Sequence, residues 1–270
     1  MSKSTQRTKV HFIQNSLLNP TNPISMIVVG GGGTGSHFLH AIARADLALT
    51  AMDHPGFRVT VFDPDKVELP NMGRSEFNRN YIEINKAVAL VSHINRSYGT
   101  NWKAVPHAYE PLNGSRLSED RLANLIVSCV DTVSTRFSIA KMLSGIKDSY
   151  QFHRDRPVYW LDFGNSKYTG QAILSTTATV AQPKSKKFIP VADLPTVTEE
   201  FGELLKNSEK ADPTPSCSML QSLNEQSLYI NSALANCGAS LLQQLLEKGY
   251  TPYRGFFMNL ENFRTEPIPV

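Results

Sequence analysis

The chain has 270 residues, of which 41% are hydrophobic and 19% are charged, values that are ordinary for a folded protein with a sizeable core. A formal net charge of +3 at pH 7 is too small to favour nucleic acid, and no apolar run approaches the roughly 20 residues that span a membrane. Three cysteines without a CxxC pair argue against a disulfide framework or a four-cysteine zinc site. We therefore expect a cytoplasmic protein with neither a nucleic-acid nor a membrane partner.

The first predicted elements are a strand and a helix that follow a polar, irregular arm over residues 1–23. Ile24–Val29 is a short β-rich apolar run that ends in four glycines, and apolar residues recur at helical spacing from Ser36. A second strand is predicted at Phe57–Phe62 and a second helix over about 81–95.

The same alternation continues through the middle of the chain, with a strand at 125–130, a helix over 133–147 and a strand at 158–161. Strands that alternate with helices predict right-handed βαβ units. The fold class is therefore α/β, with a Rossmann-like, mostly parallel sheet flanked by helices. Functional residues of such sheets lie at the carboxyl ends of the strands, where Gly31 and Asp63 fall in this sequence.

The alternation stops after Tyr168. A strand is predicted at 169–175, a helix over 219–247 and a last β segment at 255–258. The polar, proline-containing segment between the strand at 169–175 and the helix over 219–247 is interpreted as a long mobile crossing loop, a type of loop that is commonly functional. The predicted organisation is one domain in four parts, namely an arm (1–23), a nucleotide-binding core (24–180), the crossing loop (181–218) and a C-terminal helix and β extension (219–270).

The glycine-rich turn contains a GxGxxG register between a predicted strand and a predicted helix. Glycine permits positive φ and a close approach of the backbone to phosphates, and the start of a helix offers free N–H groups. The pattern predicts a nucleotide site, with a tight turn that binds nothing as the alternative. The candidate residues are Gly30, Gly31, Gly32, Gly33 and Gly35.

Asp63 closes the second predicted strand and is a candidate to accept hydrogen bonds from a ribose. It lies 28 residues after Gly35, against about 20 in the dinucleotide-binding fingerprint. An insertion around residues 51–56 accounts for the difference. The alternative is a turn aspartate at a strand end, which is common before a proline such as Pro64.

Four sequence blocks follow one another in a specific order. They are the glycine loop, the segment that runs from Asp63 through Asp65 and Asn71 to Arg74, then Lys86, and finally Cys129-Val130-Asp131 with Arg136. In these blocks the chain resembles the ThiF/MoeB/HesA family of ubiquitin-activating-like enzymes, chiefly over residues 24–175. The amino-acid sequence of these blocks, together with residues 215–220, is similar to the ThiF-like subfamily of the bacterial PRTRC gene cassette.

The resemblance implies that ATP and Mg²⁺ are used to adenylate the C-terminal carboxylate of a ubiquitin-like or sulfur-carrier-like small protein with a flexible tail. It places Arg74 and Lys86 on the triphosphate, Asp131 on Mg²⁺, Asn71 on phosphate or metal-bound water, and Asp63 and Asp65 in the nucleotide-binding set. An arginine of the arm in a second subunit often reaches the γ-phosphate in this family. Arg7 is the candidate here, which implies a homodimer.

Each of these residues has a plainer interpretation when it is considered alone. Lys86 would be a solvated helix lysine, Arg74 a loop cation and Asp131 a helix N-cap. Arg136 is expected to be the structural partner of a nearby carboxylate. Only the shared pattern favours the functional interpretation of the first three.

Cys217 is a candidate to receive the activated acyl group as a thioester. It lies in the predicted crossing loop just before a predicted helix, and a helix N-terminus lowers a thiol pKa. The alternative is a half-buried loop thiol, since some relatives stop at the adenylate. Cys129 and Cys237 are expected to pack in the core.

Other functions share part of the pattern. An NAD-dependent oxidoreductase would use the glycine loop and Asp63, but it gives no reason for Asn71, Arg74 and Lys86 together. A non-catalytic nucleotide-binding scaffold would keep the fold alone. The activated carboxylate could also belong to a peptide or another small molecule. The chain also lacks the zinc-binding cysteines of many ThiF and MoeB proteins.

Overall fold

The computed structural model describes residues 7–110, 118–146, 150, 152–209 and 227–270. Its strands are β1 (Lys9–Phe12), β2 (Ile24–Val29), β3 (Phe57–Phe62), β4 (Lys103–Val105), β5 (Leu125–Ser128), β6 (Tyr159–Asn165), β7 (Thr169–Thr176), β8 (Ile189–Pro190), β9 (Tyr250–Thr251), β10 (Tyr253–Asn259) and β11 (Arg264–Pro269). Its helices are α1 (Asn15–Leu18), α2 (Gly33–Ala51), α3 (Lys86–Tyr98), α4 (Val133–Gly145), α5 (Val197–Glu200), α6 (Gly202–Glu209) and α7 (Ile230–Lys248). Short 3₁₀ turns lie at Leu69–Asn71, Arg79–Tyr81 and Glu119–Arg121.

The main sheet has the strand order β11-β10-β7-β6-β5-β2-β3-β4. The five strands β6, β5, β2, β3 and β4 run parallel to one another. The strands β7, β10 and β11 continue the sheet beyond β6 with antiparallel pairing. The predicted α/β, Rossmann-like and mostly parallel sheet is therefore confirmed. Because β2 lies between β5 and β3, the glycines that follow β2 are flanked by the carboxyl ends of both neighbours.

Alternate residues of β2 belong to two different hydrophobic cores. Met26 and Val28 pack on the face covered by α2, α3 and α7, whereas Ile27 and Val29 pack on the face that holds α4. All six residues of β2 are buried, as expected for a parallel strand that is covered on both faces. Burial on both faces explains why this strand reads as a continuous apolar run instead of an alternating one.

The described part of the N-terminal arm, residues 7–23, contains β1 and α1, whereas an irregular arm was predicted over residues 1–23. Its strand β1 pairs with β8 in parallel and with β9 in antiparallel fashion, which makes a second sheet. The buried His11 anchors β1, because Nδ1 donates to the Val191 carbonyl at 2.7 Å and Nε2 accepts from the Tyr159 hydroxyl at 2.9 Å. The partners of β1 lie about 180 and 240 residues further along the chain, so local sequence carries no signal for this pairing.

The predicted crossing loop contains regular secondary structure over its described part. Residues up to Glu209 form β8, α5 and α6, and the mobility of this segment remains a prediction. The guanidinium of Arg254, in β10, pairs with the Glu200 carboxylate and donates to the Pro195 carbonyl at 3.3 Å, fixing α5 to the main sheet. Residues 210–218, including Cys217, lie outside the described residues.

Two helix starts differ from their predictions. The second helix was expected from residue 81 but begins at Lys86, because the Asn85 side chain caps it by accepting the Val88 N–H at 3.1 Å. The last helix was expected from residue 219, and residues 219–226 lie outside the described residues. The described helix begins at Ile230, after the non-helical residues 227–229.

Two strands of the main sheet were not predicted, namely the three-residue β4 and the edge strand β11. Among the described helices, none has the length and apolar character needed to cross a membrane.

Candidate functional site

A cavity of about 560 Å³ opens at the carboxyl ends of β2, β3, β5 and β6, within the size range of small-molecule sites, about 300–1,000 Å³. It brings together most of the predicted nucleotide-site residues, although they come from four separate sequence blocks. Those that line it are Gly30, Gly32, Gly33, Asp63, Asp65, Asn71, Arg74, Lys86 and Asp131. Gly31 and Gly35 belong to the same loop but are not part of the lining.

The glycine loop is compressed between the ends of β3 and β5. Gly30 has a φ of +94°, and a Cβ at this position would lie 2.6 Å from the Cys129 carbonyl oxygen. A Cβ on Gly35 would lie 2.0 Å from the carbonyl oxygen of Gly30. These two glycines are therefore required by packing, whereas Gly32 faces open space in which a ligand can lie.

Asp63 ties the glycine loop to the loop after β3. Its Oδ2 accepts the Gly31 N–H at 2.6 Å and its Oδ1 accepts the Asp65 N–H at 2.8 Å. Burial raises the pKa of this carboxyl, and the hydrogen bonds from the two N–H groups oppose that effect. The contact of Asp63 with a ribose remains a prediction. The role that these hydrogen bonds indicate, which is to join the two loops, was not predicted.

Lys86 is the first residue of α3, and its ammonium is held close to the glycine loop. Nζ lies 2.9 Å from Asp65 Oδ2, and only 13% of the Lys86 side chain is exposed, against 65% for Asp65. Asn85 fixes the same corner by donating to the carbonyl oxygens of Asp63 at 2.8 Å and Asp65 at 3.0 Å. Lys86 is therefore not a solvated helix lysine.

Asn71 and Arg74 come from the turn between β3 and α3. Asn71 Oδ1 accepts the Glu68 N–H at 2.8 Å, which closes the turn. The Arg74 N–H donates to the Asn71 carbonyl at 3.3 Å, and the Arg74 side chain lines the cavity. The Glu76 N–H donates to Ser36 Oγ at 3.1 Å and joins this segment to α2.

Asp131 follows β5 and lines the cavity, and it does not cap α4. The N-cap of that helix is Thr132, whose hydroxyl accepts the Thr135 N–H at 3.4 Å. Arg136 has the structural role predicted for it: its Nε lies 3.2 Å from both carboxylate oxygens of the buried Asp162. Arg136 also donates to the Val130 carbonyl at 2.7 Å, which fixes the segment that carries Asp131.

Among the polar lining residues that the sequence interpretation missed, three are joined by hydrogen bonds, namely Thr34, Asn165 and Asn231. Asn231 Oδ1 accepts the Thr34 hydroxyl at 2.8 Å and the Asn165 side-chain amide at 3.2 Å. Thr34 lies within the glycine motif, so its position was a usable signal. Asn165 ends β6 and Asn231 belongs to α7, and neither has a sequence pattern that marks it.

The cavity suits ATP better than it suits a metal ion alone. Two cations, Arg74 and Lys86, line the same cavity as the glycines at the start of α2, where N–H groups are available to an anion. Among the described residues, no group of three or more His, Cys, Asp or Glu could hold a metal by itself. Mg²⁺ is commonly held by one or two carboxylates together with substrate phosphates, and Asp131 could serve as such a carboxylate.

The remaining predicted residues lie away from the cavity or are placed differently. Arg7 is exposed and donates to the Ser185 carbonyl at 3.3 Å. Cys129 lines the cavity beside the core, and burial raises the pKa of its thiol. Cys237 is exposed, contrary to the prediction that it packs in the core, because the apolar face of α7 runs through other positions.

The chain matches the ThiF family over residues 5–266, while a search of curated proteins found no match. PaaA shares the fold with a TM-score of 0.57 at 12% identity, over 94% of this chain and 65% of that one. The structure of E. coli MccB with ATP has a TM-score of 0.54 at 12% identity, and the match covers 94% of this chain and 65% of MccB. The structure of E. coli MccB with AMPCPP and MccA has a TM-score of 0.55, with the same identity and the same coverage of both chains. The chain thus spans about 65% of the length of these neighbours. Because the family match extends over nearly the whole sequence, the chain belongs to the ThiF family.

Proposed function

We propose that this protein uses MgATP to adenylate the C-terminal carboxylate of a small ubiquitin-like or sulfur-carrier-like protein with a flexible tail. The observation that carries the proposal is the convergence of Arg74, Lys86 and Asp131 with the glycine loop around one cavity. Solved structures of MccB with ATP, and with AMPCPP and MccA, support a site that takes a nucleotide and a second molecule.

In the proposed reaction, a carboxylate oxygen of the partner attacks the α-phosphorus of ATP. The bond from that phosphorus to the bridging oxygen of pyrophosphate breaks, so that an acyl adenylate and pyrophosphate are formed. Negative charge on the phosphoryl oxygens is stabilised by fixed cations and N–H donors. Arg74, Lys86 and the first N–H groups of α2 are the groups of this chain that supply them.

Asp65 and Asp131 complete the charge arrangement. Asp65 holds the Lys86 ammonium at 2.9 Å beside the glycine loop, so that the cation is already in place when the triphosphate binds. Asp131 is the proposed ligand of Mg²⁺, which supplies further positive charge to the phosphates when it is bound. Asn71 is the proposed orienting group for phosphate or metal-bound water.

A thioester step at Cys217 is the finer part of the proposal. The thiolate would attack the acyl carbon of the adenylate and displace AMP. We expect Cys217→Ala to abolish a conjugate that reductant cleaves, while pyrophosphate exchange continues. An unchanged conjugate in that variant would reject the step.

A homodimer in which Arg7 reaches the second subunit's ATP is also proposed. Arg7→Ala and Asp131→Ala variants that are each inactive should regain part of their activity when they are mixed, because each mixed dimer then holds one intact site. Two inactive variants that stay inactive after subunit exchange would reject a contribution of Arg7 to the second subunit's site. Genes of the PRTRC cassette next to the coding sequence would support the proposed subfamily.

The decisive test is ATP–pyrophosphate exchange, measured with and without a candidate ubiquitin-like partner. We expect exchange that requires the partner and is lost in Asp131→Ala, with Asp131→Asn as the variant that removes only the charge. ATP binding without exchange for any partner or peptide would favour a nucleotide-binding scaffold. Binding of NAD in preference to ATP, observed by cofactor fluorescence, would favour the oxidoreductase alternative.

A further inference from the structure

Asn231 brings the last helix into the nucleotide cavity. It is the second residue of α7, its side chain lines the cavity, and only 2% of the residue is exposed. Its Oδ1 accepts hydrogen bonds from Thr34, in the glycine motif, and from Asn165, at the end of β6. One amide oxygen therefore joins the phosphate-binding loop, the main sheet and a helix that lies almost 200 residues later in the sequence.

The same side chain explains why residue 33 is a glycine. A Cβ on Gly33 would lie 2.7 Å from Asn231 Nδ2, 2.8 Å from its Cγ and 2.9 Å from its Oδ1. Gly33 does not have a positive φ and is the first residue of α2, where alanine is otherwise a favourable helix residue. A side chain at this position would therefore have to displace the Asn231 amide, whereas the backbone conformation itself would accept it.

Asn231 and Asp63 fix successive parts of the glycine loop. Asp63 accepts the N–H of Gly31 at 2.6 Å, and Asn231 fixes Gly33 and Thr34, which begin α2. The first N–H groups of a helix have no partner within the helix and are available to an anion. The direction in which those N–H groups point is set by how the start of α2 is held.

We propose that Asn231 is a positioning residue for the phosphates of the nucleotide. It fixes Gly33 and Thr34 so that the first N–H groups of α2 face the triphosphate, and it takes no part in bond making or breaking. The inference rests on the proposed binding of ATP and extends it, because it makes α7 part of the nucleotide site.

The first test compares Asn231→Ala with Asn236→Ala, a matched change on the exposed side of the same helix, where Asn236 accepts from Arg44. ATP and adenosine are titrated calorimetrically against each full-length variant. We expect Asn231→Ala to weaken ATP binding about tenfold, the effect of one N–H group of α2 no longer donating to a charged phosphate, and to weaken adenosine binding less than about twofold. Asn236→Ala should match the wild type. Equal losses for ATP and adenosine, or no loss, would overturn the proposal.

The second test uses the packing between Asn231 and residue 33. Gly33→Ala should weaken ATP binding about tenfold in the wild type, because the new Cβ displaces the Asn231 amide and the loop with it. In an Asn231→Ala background the same substitution should cost less than about twofold, because the obstructing amide is gone. An equal loss in both backgrounds would show that Asn231 does not position residue 33.

These measurements separate the proposal from the proposed reaction. Both tests measure nucleotide binding without a protein partner, so an absence of pyrophosphate exchange does not affect them. A wild-type chain that binds ATP but is insensitive to Asn231→Ala would refute the positioning role alone. A wild-type chain that binds no ATP would refute both proposals together.

Discussion

At the scale of single residues, Asp63 has a structural role that the sequence did not predict, in addition to the ribose contact that it did predict. Its position at the end of β3 indicated a ribose contact, yet each carboxylate oxygen already accepts a backbone N–H, from Gly31 and from Asp65. An ionised carboxylate can accept about four hydrogen bonds, so a ligand hydroxyl can be added to these two. The Asp63 carboxylate therefore shapes the loops of the cavity, and the ribose contact is a further role that we propose for it.

Asp63→Asn tests the structural role, because it keeps the shape of the side chain but replaces one of the two acceptor oxygens by an NH₂ donor. Its side-chain NH₂ would face the N–H of either Gly31 or Asp65, leaving two buried donors without an acceptor. We expect the free energy of unfolding to fall by about 1–3 kcal/mol, together with weaker ATP binding. Urea unfolding and calorimetric titration measure the two effects. Asp53→Asn is the control, since residue 53 is exposed and has a φ of 62° that asparagine accepts. Unchanged stability in Asp63→Asn would contradict the structural role.

Lys86→Ala should reduce pyrophosphate exchange about 100-fold or more, the usual effect of removing one preorganised charge-stabilising group. The control is Lys66→Ala in the same corner of the fold, because Lys66 forms only an exposed ion pair with Glu83 at 3.2 Å. We expect the control to retain exchange. Equal losses in the two variants would indicate a general effect of positive charge instead of a specific place for Lys86.

At the scale of elements, capping chemistry overrides apolar periodicity at α3. The apolar spacing extends back to Tyr81, so the sequence predicts a helix that starts there. Asn85 ends that extension, because its side chain accepts the Val88 N–H while its amide donates to the carbonyls of Asp63 and Asp65. One residue thus sets both the start of the helix and the position of Lys86.

Asn85→Ala should lower the free energy of unfolding by about 1–2 kcal/mol through the lost cap and should also raise the KM for ATP. The matched control is Asn78→Ala, which removes the side chain that accepts the Asn80 N–H at an exposed 3₁₀ turn. We expect the control to leave the KM unchanged. A loss of stability in Asn85→Ala with an unaltered KM would separate the cap from the site. Thermal unfolding and steady-state kinetics provide the two readouts.

How well each element could be predicted follows from where its stabilising contacts come from. The strands β2 and β5 are buried on both faces and read as apolar runs, so they were predicted. The strand β4 has only three residues, and β11 is largely exposed with two prolines, so neither has a recognisable pattern. The candidate site follows the same rule, since its predicted residues belong to recognisable sequence blocks, whereas Asn165 and Asn231 belong to none and reach the site through tertiary packing alone.

At the scale of the whole molecule, a small sheet joins three distant parts of the chain. The strand β1 of the arm lies between β8 of the crossing segment and β9 after α7. His11 anchors this sheet to the main one by accepting a hydrogen bond from Tyr159, whose hydroxyl in turn accepts the Gln14 N–H at 2.9 Å. The arm is therefore integrated into the fold.

Burial lowers the pKa of His11 below its ordinary value of 6.5, so the fold favours the neutral ring. Above pH 6.5 the ring is neutral in both states and contributes no pH dependence. As the pH falls below 6.5, the unfolded chain gains a proton that the folded chain does not, so stability is lost down to the folded pKa. We expect His11→Gln to be less stable at pH 7.5 but to lose less stability between pH 7.5 and 5.5.

The measurement is urea unfolding at several pH values, with the exposed His107→Gln as the control. The control should follow the wild-type pH dependence. His54, whose pKa burial also lowers, leaves a residual slope in the His11 variant. Parallel curves for the wild type and His11→Gln would contradict the assignment.

The pairing of β1 also imposes an order on biosynthesis. This strand leaves the ribosome long before either of its partners, because β8 and β9 follow it by about 180 and 240 residues. At a translation rate of about 5–20 residues per second, it stays unpaired for roughly ten seconds or more. During that time Val10 and His11, which are buried in the folded protein, are accessible to chaperones and proteases. The first strand to be synthesised is thus among the last to be protected.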